Sequence, residues 1–196
     1  MGMLTVENTL KWLELFNAKI QAEKDYLSEL DTPIGDGDHG NNMSRGLLAV
    51  HEALTTQSAT DVPSILKTTA MMLISKVGGA SGPLYGTAFL EMAKLSSTTL
   101  EVAPLLAAGL AGIQKRGHAQ VGEKTLIDVW TPVIQAVEAD MLDGATIETA
   151  VMATKDMQAT KGRASYVGER SIGHIDPGAA SSGYLFTTML MAGVVS

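Results

Sequence analysis

The chain has 196 residues, of which 45% are hydrophobic and 18% charged, with a formal net charge of −7. That length and composition suit a single folded domain over 1–196 and argue against disorder. The acidic balance offers no basic footprint for nucleic acid. The absence of cysteine removes disulfides, thiol catalysis and cysteine zinc sites, and suits a cytoplasmic protein.

The first residues, MGMLTVENTLKW, show no basic region followed by an apolar run, so no signal peptide is expected. Strand alternation is scarce and helical spacing common. Leu10, Leu13, Phe16 and Ile20 form a stripe in a helix over about 5–29. Met43, Leu47, Val50 and Leu54 form another, in a helix beginning near Asn41. Pro63 suits the first turn of a third, which carries Leu66, Met71, Met72, Ile74 and Val77. Helices follow at roughly 84–97, 101–116, 124–140, 145–161 and 178–194, making eight. The expected class is all-α, an up-and-down bundle. The 11 methionines read as gap-filling core. The uncharged run PGAASSGYLFTTMLMAGVVS is long enough to span a bilayer. It is rich in Gly, Ser and Thr and lacks basic anchors, so it reads as a buried helix with no membrane role.

Four breaks between helices concentrate glycine: DTPIGDGDHG at 31–40, GGASGPLYG at 78–86, RGHAQVGEK at 116–124 and GRASYVGERSIGHIDPGAASSG at 162–183. In an up-and-down bundle four such loops can meet at one end. The first holds Asp31, Asp36 and Asp38 with no cation among them. An EF-hand register fails from either Asp31 or Asp36. An Asp-Gly turn with one capping aspartate is the plain alternative. Three carboxylates with interleaved Gly35 and Gly37 point instead to a metal, and hard oxygen ligands without a His/Cys set suit Mg²⁺. Beside them, His39 is expected to bond a substrate or phosphate. In the second break, Gly79, Ala80 and Ser81 precede a helix. The Walker ending is missing, yet exposed N–H groups at a helix start make an anion site. A close helix turn explains that motif alone equally well, so its weight comes from the acidic cluster. The last break, with Lys161 just before it, carries Arg163, Arg170 and Asp176, suited to an anionic ligand or a docking partner rather than a solvated loop.

Together, IGDGDHG, GGASGPLYG, GEKTLIDVW and GRASYVGERSIGHIDPGA, in that order, resemble the nucleotide-binding L-subunit family of dihydroxyacetone kinase. The resemblance covers nearly the whole chain and implies an eight-helix antiparallel barrel with the nucleotide at one end. It implies that Asp31, Asp36 and Asp38 coordinate two Mg²⁺ ions bridged to the phosphates of ADP or ATP. His39, Gly40, Asn41 and Asn42 would contact the nucleotide, as would Gly79, Ala80, Ser81 and Gly122. So would Arg163, Asp176, Pro177 and Gly178, while Thr131 falls near the base. The family has a single-chain form that uses ATP directly and a split form. In the split form ADP stays as a cofactor, a partner subunit binds dihydroxyacetone, and a phosphotransferase-system subunit rephosphorylates the ADP. At 196 residues this chain looks like the split form, with no catalytic nucleophile of its own; a homodimer is left open. The charges agree: about −3 from the carboxylates and about −3 from ADP meet +4 from two Mg²⁺. A kinase for another acceptor, such as a carrier-bound fatty acid, is the alternative enzyme. A nucleotide-loaded regulatory module and a metal-dependent phosphohydrolase are the other classes.

Overall fold

The computed structural model describes residues 2–57 and 60–195. Its described residues form eight α-helices: α1 (Val6–Asp31), α2 (His39–Thr56), α3 (Val62–Lys76), α4 (Ser81–Leu95), α5 (Val102–Gly117), α6 (Ile127–Glu138), α7 (Gly144–Ala153) and α8 (Pro177–Met191). Two 3₁₀ segments, Thr154–Asp156 and Arg163–Ser171, lie between α7 and α8. The described residues contain no strand, only an isolated antiparallel bridge between Met3 and Glu101. The expected all-α class holds.

Local chemistry sets several starts. Thr5 and Asn8 form a reciprocal capping box before α1. Asp61 caps α3 with Pro63 in its first turn, and Asp143 caps α7 by accepting from the Thr146 N–H. Each helix packs on its neighbours in sequence, and α8 returns to α1, so the eight close into a ring. Short connections from α1 through α7 make those neighbours antiparallel, and a long one leads into α8.

The ring is filled by large side chains. Trp12, Phe16, Phe89, Trp130 and Phe186 are all buried. Trp130 meets Phe186 edge-on at 5.1 Å, and the Trp12 indole donates to the Leu185 carbonyl at 2.8 Å. The α1 and α2 stripes face this core as expected, with Leu10 and Leu54 at its margin. Along α3 and its C-cap, Leu66 and Val77 are buried as expected and Met72 packs against the core, but Met71 and Ile74 are exposed, and Ile65, Thr69, Ala70 and Leu73 complete the buried face. Counting three or four residues on from Leu66 reaches Thr69 and Ala70, and small residues there let α3 approach its neighbours. Met43, Met92 and Met189 fill the core, whereas Met3, Met71, Met141, Met152 and Met191 are exposed. Helix α8 is a buried core helix, and no described helix is long and apolar enough to cross a membrane.

Several boundaries differ from expectation, α4 starting at Ser81 rather than 84 and α8 ending at Met191 rather than 194, and two of the differences share a cause. Helix α6 starts at Ile127 rather than 124, because Lys124 adopts a left-handed φ of 61°. Helix α7 ends at Ala153 rather than 161, where the Thr154 carbonyl turns to accept from Lys124 Nζ at 2.5 Å. One buried ammonium explains both.

Removing a core ring and removing a cap should differ in scale. Phe186→Ala should lower stability by roughly 3–5 kcal/mol, and Asp143→Ala by about 1 kcal/mol. Urea denaturation followed by circular dichroism measures both.

Candidate functional site

Alternate connections of an antiparallel ring lie at the same end. The connections α1–α2, α3–α4, α5–α6 and α7–α8 therefore converge, and residues from all four line one cleft. Helices α2, α4, α6 and α8 begin there. Of the helices that begin at the other end, α1, α3 and α7 carry side-chain caps and α5 does not; at the cleft end Asp176 caps α8, while the N-cap residues of α2, α4 and α6 make no side-chain cap. The His39 amide of α2 is taken by Asp31 and the Ile127 amide of α6 by Thr125 Oγ1, so the start of α4, with the positive end of its dipole, is the one that offers first-turn N–H groups to an anion.

Asp31, Asp36 and Asp38 each bring a carboxylate oxygen within 4.8 Å of the others. Asp31 ends α1, and its Oδ2 accepts from the Asp38 and His39 amides at 3.0 and 3.3 Å. Its other oxygen lies so close to Gly35 that a Cβ there would sit 2.0 Å from Oδ1. Gly37, at φ 73°, makes the turn that brings Asp38 back. Burial raises the Asp31 pKa, and the charges of Asp36 and Asp38 add to this against the two amide bonds. Asp36 is held below the usual carboxylate range, first by hydrogen bonding with Asp38 and then by Arg163, whose guanidinium lies 2.5 Å away. Three convergent hard oxygen donors, one buried and two exposed, fit a divalent cation such as Mg²⁺ with room for further ligands.

Opposite lie Gly78, Gly79, Ala80 and Ser81, with Lys161, Arg163 and the start of α8. Asp176 caps α8, its Oδ2 accepting from the Ala179 amide at 2.7 Å. Burial pushes Asp176 up to about 7, opposed by that amide and by the charge of Lys124. His39 is buried and neutral, its pKa lowered to about 4 by loss of water. Both ring nitrogens are engaged, Nδ1 with Ser81 and Nε2 with Ser181. It lines the cleft but has no free nitrogen to act as a base. A second, more apolar cleft adjoins the first through Ala80, Leu84, Thr125, Leu126, Lys161 and Gly162, and extends over Pro83, Ile113 and Ala119.

Of the residues singled out in sequence, Asp31, Asp36, Asp38, His39, Asn42, Gly79, Ala80, Ser81, Arg163, Asp176, Pro177 and Gly178 come together in the cleft lining. Four lie outside it. Gly40 packs α2 on α1, where a Cβ would meet the Lys24 carbonyl at 1.7 Å. Asn41 is exposed on α2. The Gly122 amide donates to Asp128 in the α5–α6 turn. Thr131 is on α6, with its hydroxyl buried and no hydrogen-bond partner. Sequence reading missed Lys124, which is 1% exposed and donates to the Thr154, Met157 and His174 carbonyls. A lysine beside Gly and Glu in a loop reads as a solvated cation, so no local signal marks it. Tyr85 and Ser181 were also missed, because each reads as an ordinary core position of its helix.

An all-helical ring with a carboxylate cluster and glycine-rich connections gathered at one end defines a helical barrel with a cleft at that end. The chain matches the DAK2 domain over residues 33–191, and it belongs to that family. It is 56% identical over 188 residues to the PTS-dependent dihydroxyacetone kinase, ADP-binding subunit DhaL, of Lactococcus lactis subsp. lactis (strain IL1403), covering 96% of this chain and 98% of the relative. It is 41% identical over 199 residues to the PEP-dependent dihydroxyacetone kinase, ADP-binding subunit DhaL, of Escherichia coli (strain K12), covering 93% and 95%. The fold is similar to the crystal structure of the dihydroxyacetone kinase from C. freundii in complex with AMP-PNP and Mg²⁺. The TM-score is 0.78 at 21% identity, over 96% of this chain and 34% of that one.

Two outcomes test the site. Gly35→Ala and Asp31→Asn should each leave the helices formed but abolish most of the thermal stabilisation that Mg²⁺ gives the wild type. Calorimetric melting with and without EDTA reads this directly. Asp176 sets a pH dependence in the metal-free chain. Its folded pKa, about 7, lies above the ordinary value of 3.8, so the unfolded state loses the proton first as pH rises. Stability should therefore fall by a few kcal/mol between about pH 4 and pH 7. Asp176→Asn, which keeps the cap, should flatten that stretch of the denaturation-midpoint profile.

Proposed function

We propose that this chain is the nucleotide-binding subunit of a split dihydroxyacetone kinase. It holds ADP or ATP with Mg²⁺ and passes the terminal phosphoryl group to dihydroxyacetone on a partner subunit. ADP then stays bound and is rephosphorylated by a phosphotransferase-system subunit. The observation that carries the reading is the three-carboxylate cluster sharing one cleft with the uncapped start of α4. The near full-length likeness to ADP-binding subunits supports the same assignment.

Within that reading, the carboxylates of Asp31, Asp36 and Asp38 hold the cation and Arg163 takes phosphate charge, a task its planar fork suits. The amides at Gly79, Ala80 and Ser81 cradle phosphate oxygens, and the apolar cleft by Leu84 and Leu126 takes the base. When bound, Mg²⁺ supplies charge neutralisation and in-line orientation of the phosphates. Charge balance favours two ions. The phosphates lie at the cleft mouth, where an acceptor held on another subunit can reach them. Any homodimer must leave that end free. His39 has no free ring nitrogen, and no side chain of the cleft takes the role of nucleophile. The chain accordingly positions and neutralises, and the acceptor site belongs to the partner.

The purified chain with ATP, Mg²⁺ and dihydroxyacetone should form almost no dihydroxyacetone phosphate. Adding the acceptor-binding subunit should allow roughly one turnover per bound ATP. Phosphoenolpyruvate with the phosphotransferase components should make turnover continuous, without labelled ADP exchanging in. A coupled NADH assay measures it, and steady turnover by the isolated chain would refute the split arrangement.

A further inference from the structure

A chain of side-chain hydrogen bonds runs from the cleft into the core. Ser81 Oγ lies 3.2 Å from His39 Nδ1, and His39 Nε2 lies 3.0 Å from Ser181 Oγ. The Tyr85 hydroxyl lies 2.7 Å from both Ser181 Oγ and Ser182 Oγ, and Trp130 Nε1 reaches Ser182 Oγ at 3.1 Å. Tyr85, Trp130, Ser181 and Ser182 are each 1% exposed or less, so bulk water cannot complete their bonds.

The chain has a direction. An indole N–H can only donate, so Trp130 occupies a lone pair of Ser182. Ser182 then sends its single proton to Tyr85. Tyr85 donates to Ser181 at 2.7 Å rather than to the Gly178 carbonyl at 3.3 Å. Ser181 in turn can reach His39 Nε2 at 3.0 Å or the Gly178 carbonyl at 3.1 Å; a neutral imidazole nitrogen is the more basic acceptor, and Nε2 has no other donor, whereas the carbonyl has the hydrogen-bond ladder of α8. With Ser181 donating to Nε2, the imidazole keeps its proton on Nδ1 and donates to Ser81. The Ser81 hydroxyl proton is then left over, on the first residue of α4 and in the cleft lining.

We propose that Tyr85 and Ser181 are positioning residues that hold His39 in its Nδ1–H tautomer, so that Ser81 directs a hydroxyl proton to an oxygen of the bound phosphate. Run the other way, the chain would have Ser81 donate to His39 and present only lone pairs to an anion. The identity of the anion rests on the nucleotide reading above; the direction of the chain does not.

Nitrogen-15 histidine labelling of the full chain tests the tautomer without ligand, with the His39 signal assigned by its loss in His39→Gln. The expected wild-type result is a proton on Nδ1. Tyr85→Phe and Ser181→Ala should each give a mixed or Nε2–H population. Mg-ADP affinity is then measured calorimetrically in the same proteins. Ser81→Ala should weaken binding about tenfold, the scale of one hydrogen bond to a charged group. Tyr85→Phe should weaken it to a similar extent, and the double variant no further. If Tyr85 only supports the core, its effect persists undiminished in the Ser81→Ala background, and the proposal fails. An Nε2–H tautomer in the wild type also overturns it. A wild type with the expected tautomer but no affinity for Mg-ADP would instead refute the nucleotide reading, and with it the role of Ser81.

Discussion

The structure depends on placing three negative charges where a helical ring can tolerate them. Asp31 is the last residue of α1, the negative end of that helix dipole, and is an adverse place for a carboxylate. Two amides at the start of α2 compensate by donating to its Oδ2. The α1–α2 connection must double back tightly for this to happen, which is why Gly35 lies against Asp31 and Gly37 takes a positive φ. Arg163 reaches across from the α7–α8 connection to Asp36. The cluster thus links the first turn of the ring to the last before any cation is bound.

Closure of the ring makes the site composite. Helices α1 and α8 pack together, so the first and last glycine-rich connections are neighbours in space although far apart in sequence. The even-numbered helices all begin at that end, and leaving α4 without a side-chain acceptor for its first amides removes the usual stabilisation of a helix start. An anionic ligand would restore it. The other end carries side-chain caps at Thr5, Asp61 and Asp143, while α5 starts there without one.

Lys124 plays the complementary part. Its ammonium has three donors, and three main-chain carbonyls from the α7–α8 connection accept them. Burial lowers its pKa, while Asp176, Asp156 and Asp128 favour the charged form. A buried cation so fully bonded fixes the long connection that carries Lys161, Arg163 and Asp176 to the cleft. Lysine here is scaffold, and the flexible-looking loop is tied at its base.

Helical periodicity, glycine-rich breaks and the carboxylates at 31, 36 and 38 were legible in the sequence, because they depend on spacing and on side-chain type at neighbouring positions. Those local patterns determined the all-α class, the eight helices and the cluster of three carboxylates. Pairings across long separations were not legible. Nothing local tells that Lys124 is buried, that α7 stops at Ala153 to meet it, or that Gly40 serves packing against Lys24. His39, Tyr85, Ser181 and Trp130 come from four different helices, and their hydrogen bonds exist only once the ring has closed. The sequence by itself set what each element is and which charges need a counter-ion. The tertiary structure decided which groups face the cleft, because buried polar atoms must find partners wherever the packing brings them.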